Sequence, residues 1–142
     1  MNLTSHKVTN ILLALHRRGV RVRILVDAEM ALHAEGALRF VEMFRDVNIP
    51  VRTQAFLHGA KFRIKGTFHH RFLVIDEEVV LTGSLNFTLH GVLQNYEDVV
   101  IIRIPAIVDD YGGRFQEIWS KMPNSVYDLF GKDGKGTLKS HS

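Results

Sequence analysis

Apolar positions recur at helical spacing from the start of the chain. Val8, Ile11, Leu12 and Leu15 share one face if residues 4–18 wind as a helix. Thr4 or Ser5 can cap its start, Arg17 and Arg18 suit its last turn, and Gly19 suits its exit. "VRVRILVD" alternates and then turns apolar, which predicts a strand over residues 20–26 entering the core. "GALRFVEMFRD", residues 36–46, predicts a second helix. "IPVRTQ" predicts a strand with Pro50 near its start, and "AKFRIKG" alternates with Lys61, Arg63 and Lys65 on one side. "RFLVI" and "VVLTG" flank "DEE" and predict a hairpin-like pair of strands, followed by a short helix through Leu89 to Leu93. "DVVIIRI" reads as a buried strand.

The last helix is expected over residues 105–121, with Pro105 in the first turn, where its missing N–H costs nothing. Ile107, Val108, Tyr111, Phe115, Ile118 and Trp119 give it an apolar stripe. "GKDGKGTLKSHS" reads as a frayed tail. Strands and helices interleave, so the class is α/β. The organisation expected is one domain over residues 1–122 and a C-terminal extension over 123–142, without internal repeats.

Composition narrows this picture in a few places. A chain of 142 residues with 46% apolar and 23% charged residues suits one globular domain. It has no cysteine, which excludes disulfides and a thiolate zinc site. The net charge of +3 fits a polyanionic partner without demanding one. No apolar run approaches the roughly 18 residues of a membrane span. Met1-Asn-Leu-Thr-Ser-His lacks the pattern of a signal peptide, so the expectation is a soluble protein of unassigned compartment. His6, His16, His33, His58, His90 and His141 show no ligand spacing, and only His58 and His90 are candidates to line a cleft. Nothing proposes a metal centre or a cofactor. Arg17, Arg18, Arg21 and Arg23 read either as a nucleic-acid patch or as a solvated helix end and strand edge.

Chemistry concentrates in "TFHHRFLVIDEEVVLTGSLNFT", residues 67–88. On an extended chain, side chains two apart share a face. His69, Arg71, Leu73 and Ile75 then point one way, and His70, Phe72, Val74 and Asp76 the other. His69 offers a nucleophile or base beside the permanent cation of Arg71, whose forked donor fits phosphate oxygens. Gly83 lets the backbone approach a ligand, and Ser84 and Asn86 add short hydrogen-bond donors. Together they suggest a phosphoryl site that works without a metal.

His69-x-Arg71, then four residues to Asp76, then six to Gly83-Ser84-x-Asn86, resembles the signature of the phospholipase D superfamily. "RRGVRVRILVD", "NYEDVVII" and "IVDDYGGRFQEIWSKM" extend the likeness, which covers Thr4 to Met122. Starting the pattern at His70 would put Phe72 at the cation position and Glu77 at the aspartate, so His69 is the motif histidine.

The resemblance implies a mixed β-sheet flanked by helices and a two-step displacement through a phosphohistidine. A second motif supplies the acid/base, and short single-motif members are homodimers that join two motifs across a two-fold axis. Arg71 and Asn86 would bind phosphate oxygens, Ser84 would support that pocket, Asp76 would hold the motif's geometry, and Glu97 would orient the imidazole. No cofactor is implied. The substrate class expected first is DNA or RNA, single-stranded above all, because of the basic balance and "KFRIK". Cardiolipin or another phospholipid comes second. A silent phosphate-binding module comes third.

Two departures matter. Arg71 stands where the family has lysine, and the two cations differ in length, planarity and hydration. The family also places a strand ahead of the first helix, whereas only three residues precede Thr4. The expectation is therefore a domain lacking that strand, with an exposed edge or groove in its place, or a fragment of a longer protein.

Overall fold

A computed structural model describes residues 6–28, 37–58, 61–64, 66, 68–84 and 96–122. The expected caps Thr4 and Ser5, the helix through Leu89 to Leu93, Asn86, His33, His90 and the 123–142 extension lie outside the described residues.

Helix α1, His6–Arg17, buries Thr9 and Leu13 and half-buries Val8 and Leu12. Its exit is set by Gly19 at φ 89°, where the N–H groups of Gly19 and Val20 close back on His16 and Leu15. His16 is a structural group, its ring Nε2 meeting the carbonyl of Val47 at 2.8 Å. Strand β1, Ile24–Val26, leads through helix α2, Ala37–Arg45, to strand β2, Val51–Thr53, which pairs with β1 in parallel. Leu13, Ile24, Val26, Val41, Phe44, Ile49 and Val51 form the core between helices and strands.

The strand expected over 20–26 makes its ladder only over Ile24–Val26, because β2 reaches no further back. Strands β3, Ala55–His58, and β4, Lys61–Ile64, form a separate antiparallel hairpin. The apolar pattern had marked only β4.

Strands β5, Phe72–Ile75, β6, Val79–Gly83, and β7, Val99–Ile102, make an antiparallel sheet in that order. The turn from β5 to β6 has Asp76 at φ 52° and Glu77 at φ 58°, and Glu78 N–H bonds back to the Ile75 carbonyl at 3.0 Å. Both central residues are left-handed, as in a type I′ hairpin turn. The buried strand expected at "DVVIIRI" is not buried: Val99, Val100 and Ile101 are 47%, 53% and 61% exposed. β7 is the sheet's outer strand, so among the described residues nothing pairs its far edge.

Helix α3, Pro105–Lys121, opens on its proline and packs on β5 and β6. Val108 is fully buried, and Tyr111 meets Phe72 edge-on at 5.0 Å. At the other end Arg52 sits 4.3 Å from the Trp119 ring and donates to the Trp119 carbonyl at 2.7 Å. Arg23 lies over Phe115 and Trp119 and donates to Gln116 at 3.0 Å. Arg23 thus ties α3 to the segment just ahead of β1. Its pKa is lowered by burial and by Arg21 and Arg52, and Glu77 opposes that.

A cavity of about 600 Å³ lies between Val20–Leu25 and β5. Leu12 of α1 and Val108, Phe115 and Ile118 of α3 also line it. Among the described residues no helix is long and apolar enough to cross a membrane.

Candidate active site

The site begins where two sheets are tied together. Asp27 and Gln54 follow β1 and β2 directly, and each is 2% exposed. Gln54 donates from Nε2 to Asp27 Oδ2 at 2.6 Å and to the Gly66 carbonyl at 3.1 Å. Its Oε1 accepts from Ala28 N–H and from the Thr53 hydroxyl, both at 3.0 Å. Asp27 Oδ2 also accepts Phe68 N–H at 2.8 Å. A buried carboxylate is costly unless its oxygens are occupied, and these donors occupy it. They fix the chain one residue ahead of His69. Sequence reading missed both residues, and the one signal was an acid ending an apolar strand at "RILVD".

From that anchor His69 emerges exposed and Arg71 half-buried. The Arg71 carbonyl accepts from the Thr82 hydroxyl at 3.0 Å, just before β5 and β6 start to pair at Phe72 and Thr82. This register sets the 69–71 segment beside Gly83 and Ser84. His70 lies 6.0 Å from the Phe72 ring and lines the cavity.

Gly83, at φ 153°, pairs with Val99. A Cβ there would overlap the Asp98 carbonyl oxygen. The close approach this glycine allows is to the neighbouring strand. Ser84 N–H then donates to that same carbonyl at 3.1 Å, and Asp98 N–H returns a bond to Ser84 Oγ at 3.0 Å. The Ser84 hydroxyl donates to Glu97 Oε2 at 2.5 Å. A serine has one O–H, so in this arrangement it serves Glu97 and cannot also serve a phosphate. In this arrangement Ser84 positions the Glu97 carboxylate.

His69, Arg71, Ser84 and Glu97 therefore gather at one end of the β5–β6–β7 sheet. Asp76 does not join them. It is an exposed residue of the hairpin turn, five residues beyond Arg71, which at about 3.3 Å per strand residue is about 16 Å. Aspartate is one of the few residues that adopt the left-handed conformation readily. Asn86 lies outside the described residues. Among the described residues no three His, Asp or Glu side chains gather where they could hold a metal ion.

The chain matches the family described as "Cardiolipin synthase, PLD-like domain" over residues 1–119. It is 33% identical over 127 residues to the mitochondrial cardiolipin hydrolase of Xenopus laevis, covering 89% of this chain and 55% of that protein. The human protein of that name is 32% identical over 117 residues, covering 82% and 42%. The chain thus spans about half the length of the curated relatives it matches. Nuc from Salmonella typhimurium, a phospholipase D family member, superposes with a TM-score of 0.75 at 23% identity. That likeness covers 87% of this chain and 76% of that one. NucT from Helicobacter pylori gives 0.71 at 18% identity, covering 85% and 76%. The α/β fold is that of these structures, and the chain belongs to the phospholipase D-like domain family.

Proposed function

We propose that residues 1–122 form a phosphodiester hydrolase that works without a metal. One observation carries this reading. An exposed imidazole and an arginine stand together beside a hydroxyl–carboxylate pair at the end of one rigid sheet. In the first step a His69 ring nitrogen attacks phosphorus. A P–N bond forms, the P–O bond to the leaving group breaks, and the leaving oxygen takes a proton from the His69 of a second copy. Water then attacks phosphorus, gives its proton to that second imidazole, and the P–N bond breaks. Arg71 and Asn86 hold the non-bridging oxygens, and Glu97, set by Ser84, orients the imidazole.

The scheme requires two chains. Tyr96 is exposed next to Glu97, and Val99, Ile101 and Ile104 are exposed along and just beyond β7, apolar surface for a second copy to cover. For the substrate, relatives above 30% identity named as cardiolipin hydrolases favour a phospholipid. The same apolar surface beside the site suits a lipid interface. The basic balance supports nucleic acid, the expectation first reached from the sequence.

The test is incubation with cardiolipin vesicles and with labelled single-stranded DNA and RNA, with EDTA throughout. Turnover that survives EDTA and vanishes in His69→Ala supports the proposal, and the substrate consumed decides between lipid and nucleic acid. Salt-sensitive binding without turnover, converted to turnover by Arg71→Lys, would instead identify a silent binding module.

A further inference from the structure

We propose that Arg21, Arg23 and Arg52 form a second anion site, which receives a phosphate group beside the Phe115 and Trp119 rings. It lies apart from His69, so the inference does not depend on the proposed chemistry.

Position separates the two sites. Arg23 and Arg52 precede Asp27 and Gln54, the anchors of the His69 segment, by four and two residues. At about 3.3 Å per extended residue they lie about 13 and 7 Å back along the chain from those anchors. On α3, Trp119 comes eight residues after Tyr111, the residue that meets Phe72 of β5. At about 1.5 Å per helical residue it is about 12 Å further along the axis.

Aromatic rings hold the cations in place. Phe115 and Trp119 are stacked at 5.6 Å with an interplanar angle of 18°. The Arg52 guanidinium lies 4.3 Å from the Trp119 centroid, and that of Arg23 lies 5.1 and 5.4 Å from the Phe115 and Trp119 centroids. Stacking uses the flat side of a guanidinium and leaves its in-plane N–H groups for acceptors. Arg52 uses one of them on the Trp119 carbonyl at 2.7 Å, and Arg23 one on Gln116 Oε1 at 3.0 Å. A guanidinium carries five. Among the described residues no further acceptor meets either one.

The charge is left unanswered. Burial lowers the Arg23 pKa, and Arg21 and Arg52 lower it further, so three like charges crowd one place. Among the described residues none of the three forms an ion pair with a carboxylate. Glu77 acts on Arg23 from beyond that range, and Glu117 of α3 is taken by Arg114 and Lys121. The carboxy end of α3 adds about half a negative charge, less than one arginine supplies. A purely structural clamp on α3 explains Arg23 and Arg52. It does not explain Arg21, which adds repulsion and no bond among the described residues. A bound anion turns that repulsion into attraction. Tetrahedral phosphate offers oxygens to more than one guanidinium fork at once, whereas a planar carboxylate serves a single fork.

The experiment uses the whole chain, with inorganic phosphate as the probe and Trp119, the one tryptophan, as the reporter. Titration in low salt should change its emission saturably, and chloride at matched ionic strength should not. Arg21→Gln, at an exposed position, should weaken phosphate about tenfold. It should move Tm in the absence of phosphate by less than about 3 °C. His69→Ala should bind phosphate here as the parent chain does. The proposal is overturned if phosphate leaves the emission unchanged or if chloride reproduces the change. It is equally overturned if Arg21→Gln binds as tightly as the parent or if His69→Ala abolishes the response. Glycerol 3-phosphate and phosphatidylcholine vesicles containing phosphatidic acid, compared in the same assay, distinguish a free phosphate from a lipid headgroup as the source.

Discussion

Asp27 and Phe68 are 41 residues apart in sequence and are joined by a 2.8 Å hydrogen bond from the Phe68 N–H to the buried carboxylate. The bond places His69 relative to the β1–β2 core rather than leaving it on a loose approach to β5. Asp27→Ala removes an acceptor from the buried Gln54 Nε2–H and the part-buried Phe68 N–H. The expected loss of stability is about 2–3 kcal/mol by urea denaturation. If the site drifts by about 1 Å, kcat should fall on the order of 100-fold while phosphate binding changes little.

Ser84→Ala tests the positioning role of the hydroxyl. The variant leaves Glu97 Oε2 and Asp98 N–H without the group that joins them. Both bonds are exposed, so water replaces much of what is lost and stability should fall by about 0.5–1 kcal/mol. Activity should fall more than stability does. The pH–rate profile should shift as the imidazole loses its oriented carboxylate, a change that a purely structural serine would not produce. Ser84→Thr keeps the hydroxyl and should restore most of the profile.

Gly83→Ala carries the largest expected stability cost. The added methyl meets the Asp98 carbonyl, a backbone atom, at a φ that alanine avoids. Strands β6 and β7 must separate there, at a cost of about 3 kcal/mol, checked by thermal or urea unfolding.

Glu77→Gly should act in the opposite direction. Glu77 sits at φ 58° in a turn that favours glycine, so relief of that conformation should add about 1 kcal/mol. The turn lies at the far end of β5 from His69, and activity should stay within about threefold. A large loss would show that the hairpin tip reaches the chemistry.

What the sequence revealed was mostly local. Helix α3 was legible because Pro105 and an apolar stripe lie within one window. The motif residues were legible because their spacing survives as a string. Asp27 and Gln54 were not, because their purpose is a contact with a segment far along the chain, and an isolated buried carboxylate has no periodicity. The pattern at β7 predicted burial correctly for a central strand, but β7 became an outer one, a fact of sheet order that hydropathy does not encode. The partner of Ser84 was not legible for a smaller reason. Residue type gives the number of donors, whereas only geometry shows where the single proton goes.

Trp119 is the chain's one tryptophan, stacked on Phe115 at 5.6 Å with the guanidinium groups of Arg23, just ahead of β1, and Arg52 of β2 over its ring. Its emission should therefore register whether the helical roof is seated, since lifting α3 would strip both cations from the indole and let water in. The molecule thus has a built-in optical gauge of its own closure, readable without any label.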